Sequence, residues 1–246
     1  MGAARRGWVG AQGAPRARPA SKQNGSRIGE ASMSEALGEL VKPVIVGRSS
    51  SHFTRVTRIF AVEMGVDHSL EVVRDLMSSN AADYGGNPAL KMPALRTSRG
   101  VWFGALNICR ELSRQSKRAV RTVWPEDLDQ PLLANAQELV VHAMATEVGL
   151  IMAGAAGAGD GSAHHAKQRT SLMNTMSWLE DNASHALAAL PSDRDLSYLE
   201  VALFCLVTHL EFRRVLPTEP YPALNGFCRE FAARASAGET TYRFDP

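Results

Sequence analysis

The sequence has little cysteine, no long apolar run and no strongly charged body. Its three cysteines, Cys109, Cys205 and Cys228, stand far apart with no Cys-x-x-Cys spacing. An odd, scattered set argues against a disulfide scaffold or a cysteine-held zinc site, and for a reducing compartment. No apolar run approaches the roughly 20 residues of a membrane span, so a soluble, cytoplasmic protein without a membrane partner is expected. Arg5-Arg6 lacks the apolar stretch that a secretory or twin-arginine signal needs, and Arg6 stands where N-myristoylation wants Ser or Thr.

The formal charge of +2 hides an uneven distribution. Residues 1–32 hold six basic residues against one acidic, a balance of +5, which leaves 21 basic and 24 acidic residues in the rest, a net −3. That mildly acidic body excludes nucleic acid as an expected partner. Residues 1–40 form a basic Gly/Ala/Pro/Arg-rich tail that is expected to be disordered. It fits either an organelle transit peptide or an over-extended start ahead of Met33.

What is present is a chain of 246 residues with 45% hydrophobic content, enough for a full core and room for two modest domains. From Val41 the elements alternate. Pro43–Val46 is a β-branched run, 52–64 has helical spacing ending at Gly65, and Ser69–Val73 alternates like a second strand. Met77–Tyr84 is a weak helical piece before Gly85-Gly86. Two strands follow, at Pro93–Leu95 and Val101–Phe103, then a helix over Leu106–Leu112. Residues 115–130 read as an exposed linker with a basic run on a solvated face. Beyond it come long helices over 131–154 and 164–189, an almost wholly apolar helix from Val201 whose start carries Ser197-x-x-Glu200, and a last helix over 224–234. Ala235–Pro246 reads as a trailing end. Gly154–Gly161 follows a helix and lacks a Gly-Lys-Ser/Thr ending, so it reads as a connector rather than a phosphate loop. His164-His165, and His142 with Glu147, lack ligand spacing, and no metal site is expected.

The segment Gly47–Phe60 joins the first strand to the first helix through Ser49-Ser50-Ser51-His52. Hydroxyls beside unpaired helix N-terminal N–H groups favour an anion or thiolate. They also cap the helix in the ordinary way, and both readings stand at this point.

Ser51-His52-Phe53-Thr54-Arg55 with Arg58-Ile59, then Met92-Pro93-Ala94-Leu95, Ser197-x-x-Glu200 and Tyr221–Leu224 with Phe231–Arg234, in this order, resemble the motifs of the cytosolic glutathione S-transferase superfamily over residues 42–236. The resemblance implies an α/β thioredoxin-like N-terminal domain at 41–114, a linker at 115–130, an all-α helical-bundle domain at 131–238 and a tail at 239–246. It implies a cis proline at Pro93. Ser51 falls where serine-type members hydrogen-bond the glutathione sulfur. The Met92 backbone falls where the cysteinyl part of glutathione pairs, and Lys91 near its glycyl carboxylate. The family's Glu-Ser pair for the γ-glutamyl end falls at Gly104-Ala105. Without those two side chains, each hydrogen bond to the charged group that is not made costs about 1.5–3 kcal/mol. The implied protein is a homodimeric transferase joining glutathione, its co-substrate, to a small hydrophobic electrophile held against the first helix of the second domain. The alternative is a non-catalytic binding protein of this fold with a degenerate glutathione site.

Overall fold

The computed structural model describes residues 42–155, 157 and 162–246. The basic tail and most of the Gly/Ala connector therefore lie outside the described residues. In the first half, β1 (Val44–Gly47), α1 (His52–Glu63), β2 (Ser69–Val72), β3 (Ala94–Thr97), β4 (Gly100–Phe103) and α2 (Ala105–Gln115) form a thioredoxin-like layer. The sheet order is β2-β1-β3-β4, with β1 and β2 parallel and the other pairs antiparallel. Central β1 is buried along Ile45 and Val46, whereas edge strand β2 alternates between exposed and half-buried. Continuous and alternating apolar patterns follow from those two places in the sheet.

Helix α1 is buried on nearly every face because it lies between the sheet layer and the helical half. Val56, Ile59 and Phe60 belong to one core that continues through Trp124 and Tyr198 into Leu203 and Leu206. Phe60 stacks on Trp124, their ring centroids 5.5 Å apart. The second half contains α3 (Pro131–Ala155), α4 (Ala163–Ala189), α5 (Tyr198–Arg213), α6 (Pro222–Phe231) and α7 (Ala235–Glu239). Every residue from Val201 to Val207 is buried, as an apolar helix at the centre of a bundle must be.

Helix α3 corrects one expectation: it is long and apolar enough, by length and composition, to cross a membrane. Isolated polar residues break every purely apolar run in its sequence, yet its average remains apolar. In the fold it packs along α4 and α5 and carries Glu147, fully buried, into the interior.

Two further readings change and one holds. The stretch read as linker contains β5 (Thr122–Val123), which pairs in parallel with β6 (Leu196–Ser197), a contact between segments more than 70 residues apart that no local pattern announces. Ser197 and Glu200 do cap α5, the Glu200 N–H donating to Ser197 Oγ at 3.0 Å. The Glu200 carboxylate accepts from Ser197 Oγ and from Arg194. The trailing end is ordered: α7 occupies its start and Tyr242 is buried, its hydroxyl donating to the Cys205 carbonyl at 2.7 Å.

Candidate active site

Strand β1 delivers the chain at Gly47, where a Cβ would stand 2.4 Å from Thr54 Oγ1. Only glycine lets α1 approach the strand end this closely. Ser51 is the N-cap of α1, with extended backbone angles, and its Oγ accepts from the Thr54 N–H at 3.3 Å. The capping reading therefore holds. It leaves the anion reading intact, because accepting uses an oxygen lone pair and the hydroxyl proton stays free to donate. Ser49 and Ser50 are buried. The Ser49 N–H donates to Asp245 Oδ2 at 2.8 Å, so the C-terminal segment crosses the serine loop.

Sheet register gathers the remaining expected residues. Ala94 pairs with Val46 on one side and with Phe103 on the other. Met92-Pro93 enters β3, and Gly104-Ala105 leaves β4, at the edge of the sheet where the Ser51 loop leaves β1. The Met92–Pro93 peptide bond is cis, as the resemblance implied. Met92 is half-buried, and its N–H and carbonyl have no backbone partner among the described residues. Asn87 Nδ2 donates to the Lys91 carbonyl at 2.7 Å, fixing the approach to Met92, while the Lys91 side chain is exposed. Gly104 is the N-cap of α2, at φ 82° and ψ 138°, with no side-chain cap and no acid in the first turn. The first N–H groups of α2 thus lack a side-chain acceptor among the described residues, which suits a carboxylate.

Sequence reasoning missed two constellations that only tertiary contact assembles. Arg55 is a buried cation with no carboxylate partner among the described residues. It donates to Thr208 Oγ1 at 3.0 Å and to the Ala237 carbonyl at 3.1 Å. Its guanidinium lies 4.7 Å from the Phe204 ring centroid and 4.2 Å from that of Tyr242. Aromatic faces and neutral acceptors replace the usual counter-ion.

The second constellation is His52, Glu147 and His209, all buried. His209 Nε2 donates to the Ser50 carbonyl at 2.9 Å, and its Nδ1 lies 2.7 Å from Glu147 Oε1. The two histidine Nδ1 atoms are 2.9 Å apart, and His52 Nδ1 is 3.2 Å from Glu147 Oε2. Burial pushes the His52 imidazole below its ordinary range, against the opposing pull of Glu147. Burial would raise the Glu147 carboxyl, but hydrogen bonds and charge from His209 and His52 win and hold it low.

The cysteines contribute no nucleophile. All three thiols are buried, and burial pushes Cys205 and Cys228 up to about 12 and Cys109 well above its ordinary value. An open cavity of about 830 Å³ lies beside Arg55, lined among others by Thr208, Glu211, Phe212, Arg229 and Tyr242. Helix α3, where the resemblance places the second substrate, contributes nothing to that lining.

Residues 50–115 match the family model described as glutathione S-transferase, N-terminal domain. No curated protein matches the chain. Among solved structures, a glutathione S-transferase from Methylobacillus flagellatus KT with glutathione bound superposes with a TM-score of 0.65 at 19% identity, covering 82% of this chain and 100% of its own. A glutathione transferase family member from Pseudomonas fluorescens Pf-5 with bound glutathione gives 0.66 at 20%, with the same coverage. A glutathione S-transferase from Methylobacterium radiotolerans in complex with glutathione sulfonate gives 0.63 at 16%, covering 84% and 98%. The chain has the glutathione S-transferase fold, a thioredoxin-like layer followed by a helical bundle.

Proposed function

We propose that this glutathione S-transferase fold binds glutathione at the Ser51 edge of the sheet and transfers it to a small hydrophobic electrophile. One observation carries the reading: a helix N-cap hydroxyl with a free proton shares a sheet edge with the unpaired backbone of Met92. An extended tripeptide would pair with Met92 and bring its thiol to Ser51. The Ser51 hydroxyl and the α1 N-terminus would then stabilise the thiolate, its proton lost to solvent; the sulfur attacks the electrophilic carbon, and the displaced electron pair leaves with the halide of an aryl halide or moves to the oxygen of an epoxide or enone, which solvent protonates. Pro93 would hold Met92 in place, and Lys91 would meet the glycyl carboxylate. The uncapped α2 N-terminus at Gly104-Ala105 would take the γ-glutamyl carboxylate without a side-chain partner.

We place the working division at 41–114 and 131–238, with a homodimer in the cytoplasm as the working assembly. The bare Gly104-Ala105 corner supports a second reading, a non-catalytic binding protein of the same fold. Calorimetric titration with glutathione, paired with turnover on aryl halides, epoxides and enones, separates the two. Binding with turnover supports the transferase, and binding without any turnover supports the second reading. Millimolar or absent binding likewise supports the second reading, whose glutathione site is degenerate.

A further inference from the structure

His52, Glu147 and His209 come from three elements, α1, α3 and α5, and converge on one point inside the protein. Their protonation sets the problem. The Ser50 carbonyl can only accept, so His209 Nε2 carries a proton and a neutral His209 presents its Nδ1 lone pair inward. That lone pair faces a carboxylate oxygen at 2.7 Å and another imidazole nitrogen at 2.9 Å. Three basic atoms at such separations repel one another unless positive charge sits among them.

Two buried atoms are left over. Glu147 Oε2 and His52 Nε2 have no hydrogen-bond partner among the described residues. Leaving such groups unsatisfied in an interior is costly, because each gives up its bonds to water without replacement. Glu147 Oε2 lies on the side of the carboxylate that faces His52 Nδ1, 3.2 Å away.

The separations suit a cation. Donor atoms 2.0–2.1 Å from a zinc-sized ion stand about 3.3 Å apart in a tetrahedron and about 3.0 Å apart on an octahedral face. The two histidine Nδ1 atoms stand 2.9 Å apart, Glu147 Oε1 lies 2.7 Å from that of His209, and Oε2 of the same carboxylate lies 3.2 Å from that of His52. Two imidazole nitrogens and one carboxylate form a ligand set for zinc-class ions, and a ring N–H donated to a backbone carbonyl is how such a histidine is oriented.

We propose that His52, Glu147 and His209 bind one divalent transition-metal ion of the zinc class, which ties α1 of the sheet layer to α3 and α5 of the helical bundle directly behind the Ser51 loop. Through His209 and the Ser50 carbonyl the ion fixes the loop that positions Ser51. It is a structural clamp and is independent of whether glutathione binds.

The test uses the full chain, stripped with a chelator and then titrated with Co²⁺ and with Zn²⁺. One equivalent of Co²⁺ should develop the intense visible bands of a low-coordinate site, and Zn²⁺ should displace it. Zinc at a hundredfold excess over its Kd should raise the melting temperature by about 5–10 °C. Glu147→Gln and His209→Gln should each abolish the bands. His142→Ala, on the exposed face of α3, and the pair His164→Ala with His165→Ala should leave them intact. No visible bands and no thermal shift in the wild type would overturn the proposal and leave protons alone in the cluster. Bands that survive Glu147→Gln, or vanish with His164 and His165, would overturn it equally. The wild-type titration decides the matter even if a cluster variant fails to fold.

Discussion

The Ser49 N–H donates to the Asp245 carboxylate at 2.8 Å across 196 residues of chain. The same segment buries Tyr242 against Arg55, and the Arg74 guanidinium donates to the Pro246 carbonyl. A fixed negative charge thus lies beside the serine loop, where the proposed chemistry needs an anionic sulfur. Asp245→Asn should tighten glutathione binding about 2–5-fold, since it removes one repulsive charge in a partly screened setting. Calorimetry in low and high salt checks this, with the gain shrinking as salt rises; an unchanged or weaker affinity refutes it.

Ser51 has two duties, and they can be separated. Ser51→Ala should lower turnover about 10–1000-fold through loss of the donor to the thiolate. It should also cost about 1 kcal/mol of stability through loss of the α1 cap. Ser51→Asp preserves a capping acceptor and removes the donor, so it should recover stability without recovering turnover. Ser50→Ala is the control and should leave turnover near wild type. Equal loss in both serine variants would place the donor elsewhere.

The two residues of the bare corner should respond differently. Ala105→Ser adds an acceptor and donor at the first turn of α2 and should tighten glutathione binding about tenfold. At Gly104 there is open space for a Cβ but φ is +82°. A side chain there is strained, so Gly104→Glu should cost about 1–3 kcal/mol of stability and return less affinity than its charge alone suggests. Thermal melts and titrations on each single variant decide between them.

Glu63 joins the first helix to the last short one. Burial would raise its carboxyl, but hydrogen bonds from Arg234 and Ser236 overcome that and lower it below its ordinary 4.5. A lowered folded-state value means the contribution is present above about pH 4.5 and is lost as pH falls through the lower folded value. Arg234→Gln should therefore destabilise at pH 7 by about 1 kcal/mol, discounted for partial exposure. The difference from wild type should shrink as pH falls below about 4.5. Melting curves from pH 3 to 8 test it, and a difference that stays constant across that range rejects the assignment.

Local elements and their order were legible in the residues alone. Val44–Val46 makes a buried strand, Ser51 a helix cap, Ser197 with Glu200 the start of α5, and Val201–Val207 a central helix, each through patterns a few residues long. The motifs at Ser51, Met92-Pro93 and Gly104-Ala105 could be read for the same reason, since each is contiguous. How those three meet is a matter of tertiary register, which sets Ala94 between Val46 and Phe103. Tertiary packing also paired β5 with β6 and laid the last residues across the serine loop. It brought His52 to His209, 157 residues away along the chain, with Glu147 closing the cluster. Charged and imidazole side chains carry no periodicity that announces a partner at that distance. Their meeting depends on α1 being covered by the helical bundle, which is a property of packing.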